Sequence, residues 1–131
     1  MDQKLHPSLM FTGQGGEAMA FYLSLFKDSE VIDDVRYGPE GPGKAGTVMF
    51  AHLKIKGTGV ICMDAPVTHA FGMTPAVSLY VTCDDEAEID HLFSVLSEGG
   101  EVRMELGVYP FARKYGWTDD RFGVSWQLIL L

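Results

Sequence analysis

The chain has 131 residues, 47% of them hydrophobic and 21% charged, a composition that folds and lies far from that of a disordered chain. At this length a second independent core is not expected, and two half-domain modules stay open. Acidic residues outnumber basic ones by 18 to 10 for a formal charge of −8, and no basic run exceeds the Arg113-Lys114 pair; this field argues against nucleic acid and anionic membrane as partners.

No window reaches the roughly 18 uninterrupted apolar residues of a membrane helix. The start Met1-Asp2-Gln3-Lys4 has no apolar signal core, so a cytoplasmic location is expected. Cys62 and Cys83 are accordingly read as thiols.

In chain order, Ser8-Leu9-Met10-Phe11-Thr12 returns at an offset of 70 as Ser78-Leu79-Tyr80-Val81-Thr82, and both stretches read strand, turn, helix. Ala18, Phe21, Tyr22, Leu25 and Phe26 share one face of the first predicted helix, as Ile89, Leu92, Phe93 and Leu96 do in the second. Asp85 stands as N-cap three residues before Glu88, and Gly99-Gly100 supplies a left-handed stop. The first helix has instead Gly13-Gln14-Gly15-Gly16, which lacks the P-loop and dinucleotide spacings and is read as a flexible helix start. Strands are predicted over 31–37, 47–55 and 60–64 in the first half and over 101–106, 112–117 and 124–130 in the second, with a tight reversal at Lys56-Gly57-Thr58-Gly59. The doublets Asp33-Asp34 and Asp119-Asp120 are read as solvated turns.

The fold class is therefore α+β, a single domain 1–131 of two βαβββ modules, 1–64 and 76–131, joined by a linker 65–75. A four-stranded sheet with one helix outside leaves its other face bare, so the modules are expected to form a curved mixed sheet or half-barrel. Its concave faces would then enclose a pocket, within the chain or across a dimer. No Gly-x-Ser-x-Gly elbow occurs, and neither cysteine has an acid–base pair beside it in the sequence.

The repeated βαβββ pattern resembles the vicinal oxygen chelate superfamily, which includes glyoxalase I, dihydroxybiphenyl and other extradiol dioxygenases, and the bleomycin and fosfomycin resistance proteins. Three stretches resemble more narrowly its PhnB-like branch, labelled 3-demethylubiquinone-9 3-methyltransferase. They are Phe11-Thr12-Gly13-Gln14 with Glu17-Ala18-Met19-Ala20-Phe21-Tyr22, then the run from Asp64 to Phe71, then Tyr115-Gly116-Trp117-Thr118-Asp119-Asp120-Arg121-Phe122-Gly123-Val124-Ser125-Trp126-Gln127. Members that hold a divalent metal take ligands from the first and last strand of each half. The resemblance puts those positions at His6, at Cys62 or, with a slip of one residue, Met63, at Ala76 and at Gln127.

Ala76 has no ligating atom and Gln127 no charge, so the resemblance implies a member without metal or other cofactor. The function expected is the binding of a small organic molecule, neutral or cationic given the net charge, by a homodimer. Alternation from the assigned positions places His6, Ser8, Cys62, Ser78, Tyr80 and Gln127 on the concave faces, with Phe71, Trp117, Met10 and Met104 as apolar walls. Phe111 joins Trp117 as a flat surface for a ring. Alternatives are a metal-dependent lyase, isomerase or dioxygenase, and acid–base catalysis by His69 of the linker or by Tyr80. Methyl transfer, the activity in the branch's label, meets the objection that the common S-adenosylmethionine fold is a doubly wound parallel sheet with a glycine-rich turn.

Overall fold

The computed structural model describes residues 3–131, so the Met1-Asp2 start read above lies outside it. Contacts divide the chain into two compact units, one ending at Ala70 and the other beginning at Phe71. In the first, β1 (Ser8–Phe11) leads to α1 (Gly15–Leu25), β2 (Ser29–Arg36), β3 (Val48–Ile55) and β4 (Thr58–Asp64), and the strands lie in the order β1-β4-β3-β2. The second repeats this with β5 (Leu79–Thr82), α2 (Glu86–Ser97), β6 (Glu101–Tyr109), β7 (Ala112–Asp119) and β8 (Ser125–Leu130) in the order β5-β8-β7-β6. In both sheets the opening strand pairs parallel to the closing one and the other pairs are antiparallel. The α+β repeat is thus as expected.

Each helix covers one face of its own sheet. In the first unit Ala18, Met19, Tyr22, Leu25 and Phe26 are buried against Ala51, Leu53, Val60 and Cys62. Met19 joins the apolar face that the periodicity outlined. The β3–β4 hairpin closes on Lys56 and Gly57, both at positive φ (49° and 83°), the pair of left-handed residues that a two-residue type I′ turn requires.

The start of α1 is not flexible. Asp64, at the end of β4 and 2% exposed, accepts Gly13 N–H at 2.8 Å and Gly15 N–H at 2.9 Å on Oδ1, and Val48 N–H at 2.9 Å on Oδ2. One carboxylate therefore ties the helix start, β3 and β4 together, and Gln14 at the N-cap makes no side-chain capping bond. A Cβ on Gly15 would stand 2.8 Å from Asp64 Oδ2, so the glycine is there to admit the carboxylate.

In the second unit the helix signals hold. Ile89, Leu92, Phe93 and Leu96 are the buried face of α2. Asp85 accepts Glu88 N–H at 2.8 Å, and the Glu88 carboxylate returns to Asp84 N–H at 2.7 Å, a capping box displaced by one residue. Gly99 ends the helix at φ 75°. Beneath α2, Gly116 pairs with Leu128, and the ring of Phe93 occupies the space a Gly116 side chain would take.

Both aspartate doublets differ from the solvated turns expected. Asp33 and Asp34 are exposed, as read, but lie within β2, where Asp34 pairs with Arg36. Asp119 and Asp120 are buried. Asp120 accepts Phe122 N–H, Val124 N–H and Trp126 Nε1–H at 2.9–3.0 Å, and Asp119 takes Arg103 at 2.6 Å. Three donors offset the desolvation of Asp120, and the Arg103 guanidinium compensates Asp119 on Oδ2 alone, its Oδ1 being buried without a hydrogen-bond partner among the described residues.

Candidate functional site

The face of each sheet turned away from its helix is where a ligand would lie, and the strand registers show which side chains occupy it. In the first unit Leu9 pairs with Cys62 and Ala51 with Cys62, whereas Ser8 pairs with Ile61 and Met10 with Met63. Cys62 therefore belongs to the helix-covered face with Ala51, where it is fully buried. Its expected place on the concave face is corrected by one residue, to Met63. Burial, with the Asp64 carboxylate adding to it, pushes the Cys62 thiol up to about 12, so it stays neutral. Four consecutive apolar residues, Val60-Ile61-Cys62-Met63, left no alternation to fix the register.

The open face of this first sheet carries Ser8, Met10, Ile61, Met63 and His52. His6 precedes β1 and meets His52 edge-to-face, ring centroids 5.1 Å apart. A Cβ on Gly59 would stand 2.7 Å from His52 Nε2 and 2.9 Å from His6 Cδ2, so the two imidazoles meet over a glycine. A separate cleft of about 310 Å³ lies over Asp64, bordered by Thr12, Lys44, Thr47 and Thr68.

The second sheet builds something different. Tyr80 pairs with Gln127, and Gln127 with Trp117, so these three share the open face, with Ser78 two residues before Tyr80 and Tyr115 two before Trp117. The hydroxyl of Tyr115 donates to Gln127 Oε1 at 2.5 Å, and Gln127 Nε2 donates to Ser78 Oγ at 2.7 Å. A hydrogen-bonded row thus crosses β7, β8 and the approach to β5.

Around that row stand aromatic rings. Tyr115 packs edge-on against Phe111 and Tyr109, centroids 5.0 and 5.5 Å away, and is 5% exposed, while Tyr80 and Phe111 are more than half exposed. Trp117 Nε1–H donates to Ser125 Oγ at 2.7 Å, which leaves the indole face for contact. Burial, then the neighbouring Tyr80 and Tyr109, raises the Tyr115 hydroxyl above the usual phenol value, so it holds its proton and remains a donor.

Of the residues chosen from the sequence, Ser78, Tyr80, Trp117 and Gln127 are brought together here. His6 and Ser8 lie along the opening segment of the first unit. His69 and Phe71 belong to the irregular stretch between β4 and β5, on neither sheet. Met104 pairs with Trp117 from β6. Tyr115 and Tyr109 were missed as site residues. The alternation from Trp117 back along the same strand points to Tyr115, whereas Tyr109 reaches the cluster through an irregular β6–β7 register that no spacing shows.

The donor set does not suit the divalent metal of the resemblance. The Cys62 thiol faces the helix and keeps its proton, the Met63 thioether that takes its place on the open face is an uncharged, soft donor, Ala76 offers no donor atom, and the Gln127 amide oxygen already accepts from Tyr115. Among the described residues no three His, Cys, Asp or Glu side chains are grouped to hold an ion.

Comparison with known proteins now bears on this geometry. The family model described as 3-demethylubiquinone-9 3-methyltransferase matches residues 3–129. A putative 3-demethylubiquinone-9 3-methyltransferase, PhnB protein, from Bacillus cereus is 50% identical over 98% of this chain and 100% of its own, with a TM-score of 0.95. Protein PA1353 from Pseudomonas aeruginosa is 28% identical over 98% of each chain, with a TM-score of 0.85. The fosfomycin resistance protein FosX from Listeria monocytogenes shares the fold at 13% identity, covering 98% of this chain and 93% of its own, with a TM-score of 0.67. None of the curated proteins matches. No helix among the described residues is long and apolar enough to cross a membrane.

Proposed function

Because the chain belongs to the 3-demethylubiquinone-9 3-methyltransferase family, the PhnB-like branch of the vicinal oxygen chelate superfamily, we propose that it binds a small, ring-bearing organic molecule without metal, on the open face of its second sheet. The observation that carries this reading is the Tyr115–Gln127–Ser78 row set among the exposed rings of Tyr80 and Phe111 and the indole of Trp117. Aromatic walls with a few fixed polar groups are the common makeup of small-molecule sites. The Gln127 amide, held at both ends, is preorganised to orient a guest and is poorly placed to ligate an ion.

The methyl transfer in the family's name fits this chain less well. Each four-stranded sheet has a single parallel pair, unlike the doubly wound parallel sheet on which the common S-adenosylmethionine site is built. Assembly as a homodimer is part of the same proposal, and light scattering at micromolar concentration that returned a monomer would remove that part.

A direct test is saturation-transfer NMR with a panel of neutral one- and two-ring compounds in buffer containing EDTA. Binding by wild type, weakened about fivefold by Tyr80→Ala, is expected, since a stacked ring contributes about 1 kcal/mol. Absence of binding by any ring compound at millimolar concentration, or binding only after a divalent ion is added, would overturn the reading.

A further inference from the structure

The hydrogen-bonded row on the second sheet has a proton count that restricts its ligand. Tyr115 and Ser78 each bring one hydroxyl proton, and the Gln127 amide brings one acceptor oxygen and two N–H protons. The amide oxygen takes the Tyr115 proton and an amide N–H goes to Ser78 Oγ. The Ser78 proton and the second amide N–H of Gln127 are then left over, and neither is bonded to another described residue. Turning the amide over exchanges the two ends without changing the tally, for one hydroxyl would still be left with a proton to give.

With the amide in this orientation the hydroxyl left free is that of Ser78, and the second Gln127 N–H stands beside it. Tyr115 is 5% exposed beneath Tyr109 and Phe111, whereas Ser78 is half-buried just ahead of β5, two residues before the exposed ring of Tyr80. Arg103 is engaged with Asp119 and Glu101, Arg113 is exposed two residues before Tyr115 on the same strand, and the chain as a whole carries −8. The net negative charge of the chain therefore disfavours an anionic guest, with Arg113 the cation such a guest would have to use.

We infer that the ligand of this face is a neutral aromatic carbonyl compound, whose ring lies against Tyr80 and whose carbonyl oxygen accepts the hydrogen bond that Ser78 has left to give. The inference deepens the function proposed above and rests on it. Recognition of this kind discriminates well, because a guest lacking the acceptor would bury the Ser78 hydroxyl unpaired.

The test compares acetophenone with ethylbenzene, the same ring without the oxygen, and with benzoate, by NMR titration of wild type, Ser78→Ala and Ser78→Thr, each checked by thermal melting. Wild type should prefer acetophenone over ethylbenzene by about fivefold, the equivalent of one ordinary hydrogen bond. Ser78→Ala should abolish that preference and Ser78→Thr restore it, with benzoate the weakest of the oxygen-bearing pair. Equal binding of acetophenone and ethylbenzene by wild type, or a preference that survives in Ser78→Ala, would overturn the inference while leaving a ring-binding face intact. Tighter binding of benzoate than of acetophenone would overturn it as well. Failure of both neutral rings to bind would instead remove the reading on which it stands.

Discussion

The two modules solve the same problem at the start of their helices with different parts. The strand registers show the equivalence: Phe11 pairs with Asp64 in the first, and Val81, the residue 70 further on, pairs with Leu128 in the second. Where α2 carries its own cap in Asp85, the strand beneath can be a fully buried leucine. Where α1 begins on Gln14 without a capping bond, the strand supplies a carboxylate instead. A local signal and a long-range one thus perform one task, and only the local one is visible to its own segment. On the open faces the divergence runs the other way, Met10 beside Met63 in one module and Tyr80 beside Gln127 in the other.

The comparison breaks most sharply at Asp64. Asp64→Ala removes the acceptor of three backbone N–H groups, each costing about 1–3 kcal/mol if left dry. Water from the adjoining cleft can replace part of this, so a loss of about 2–4 kcal/mol is expected in urea unfolding. Asp64→Asn keeps one carbonyl oxygen and should lose about half as much. A loss under about 0.5 kcal/mol for the alanine variant would show that α1 needs no support from β4.

The second module's counterpart is a matter of volume and not charge. A Cβ on Gly116 would stand 2.6 and 2.7 Å from ring carbons of Phe93 and 3.3 Å from the Leu106 backbone. Gly116→Ala should therefore cost about 1–3 kcal/mol through overpacking, and Phe93→Leu in the same chain should recover part of it. Asp85→Ala comes next at about 1 kcal/mol, the ordinary value of an N-cap. Its ratio to Asp64→Ala measures directly how much more the long-range device carries than the local one.

This difference also explains which parts of the molecule could be read from the sequence. The apolar faces of both helices, the capping acid of α2, the Gly99 stop and the Lys56-Gly57 turn all rest on spacings within a few residues, and they were legible. Asp64 was visible only as part of a family stretch, because its partners Gly13 and Gly15 lie 51 and 49 residues away. Asp119 and Asp120 look like a turn until Arg103 and Trp126 are brought to them. In the candidate site, Gln127 followed from the family resemblance, Ser78 and Tyr80 from alternation away from the positions it assigned, and Trp117 from its reading as an apolar wall. Cys62 did not, since β4 is apolar on both faces and its register is fixed by pairing with β1 and β3.

The smallest effect at neutral pH tests that register. The Cys62 thiol, pushed up from 9.0 to about 12 in the fold, binds its proton more firmly there than in the unfolded chain. Stability from this group is therefore fully present below about pH 9 and is lost as pH climbs toward 12, because only the unfolded thiol ionises in that window. Other groups, Tyr115 among them, titrate in the same alkaline range, so the informative quantity is the difference between wild type and Cys62→Ala. At pH 7 that variant should lose about 1 kcal/mol or more for the buried sulfur. By pH 10.5 the gap should have narrowed, since the variant has no thiol to ionise. A gap constant across this range would mean that Cys62 faces water, on the side of the sheet where Met63 is found.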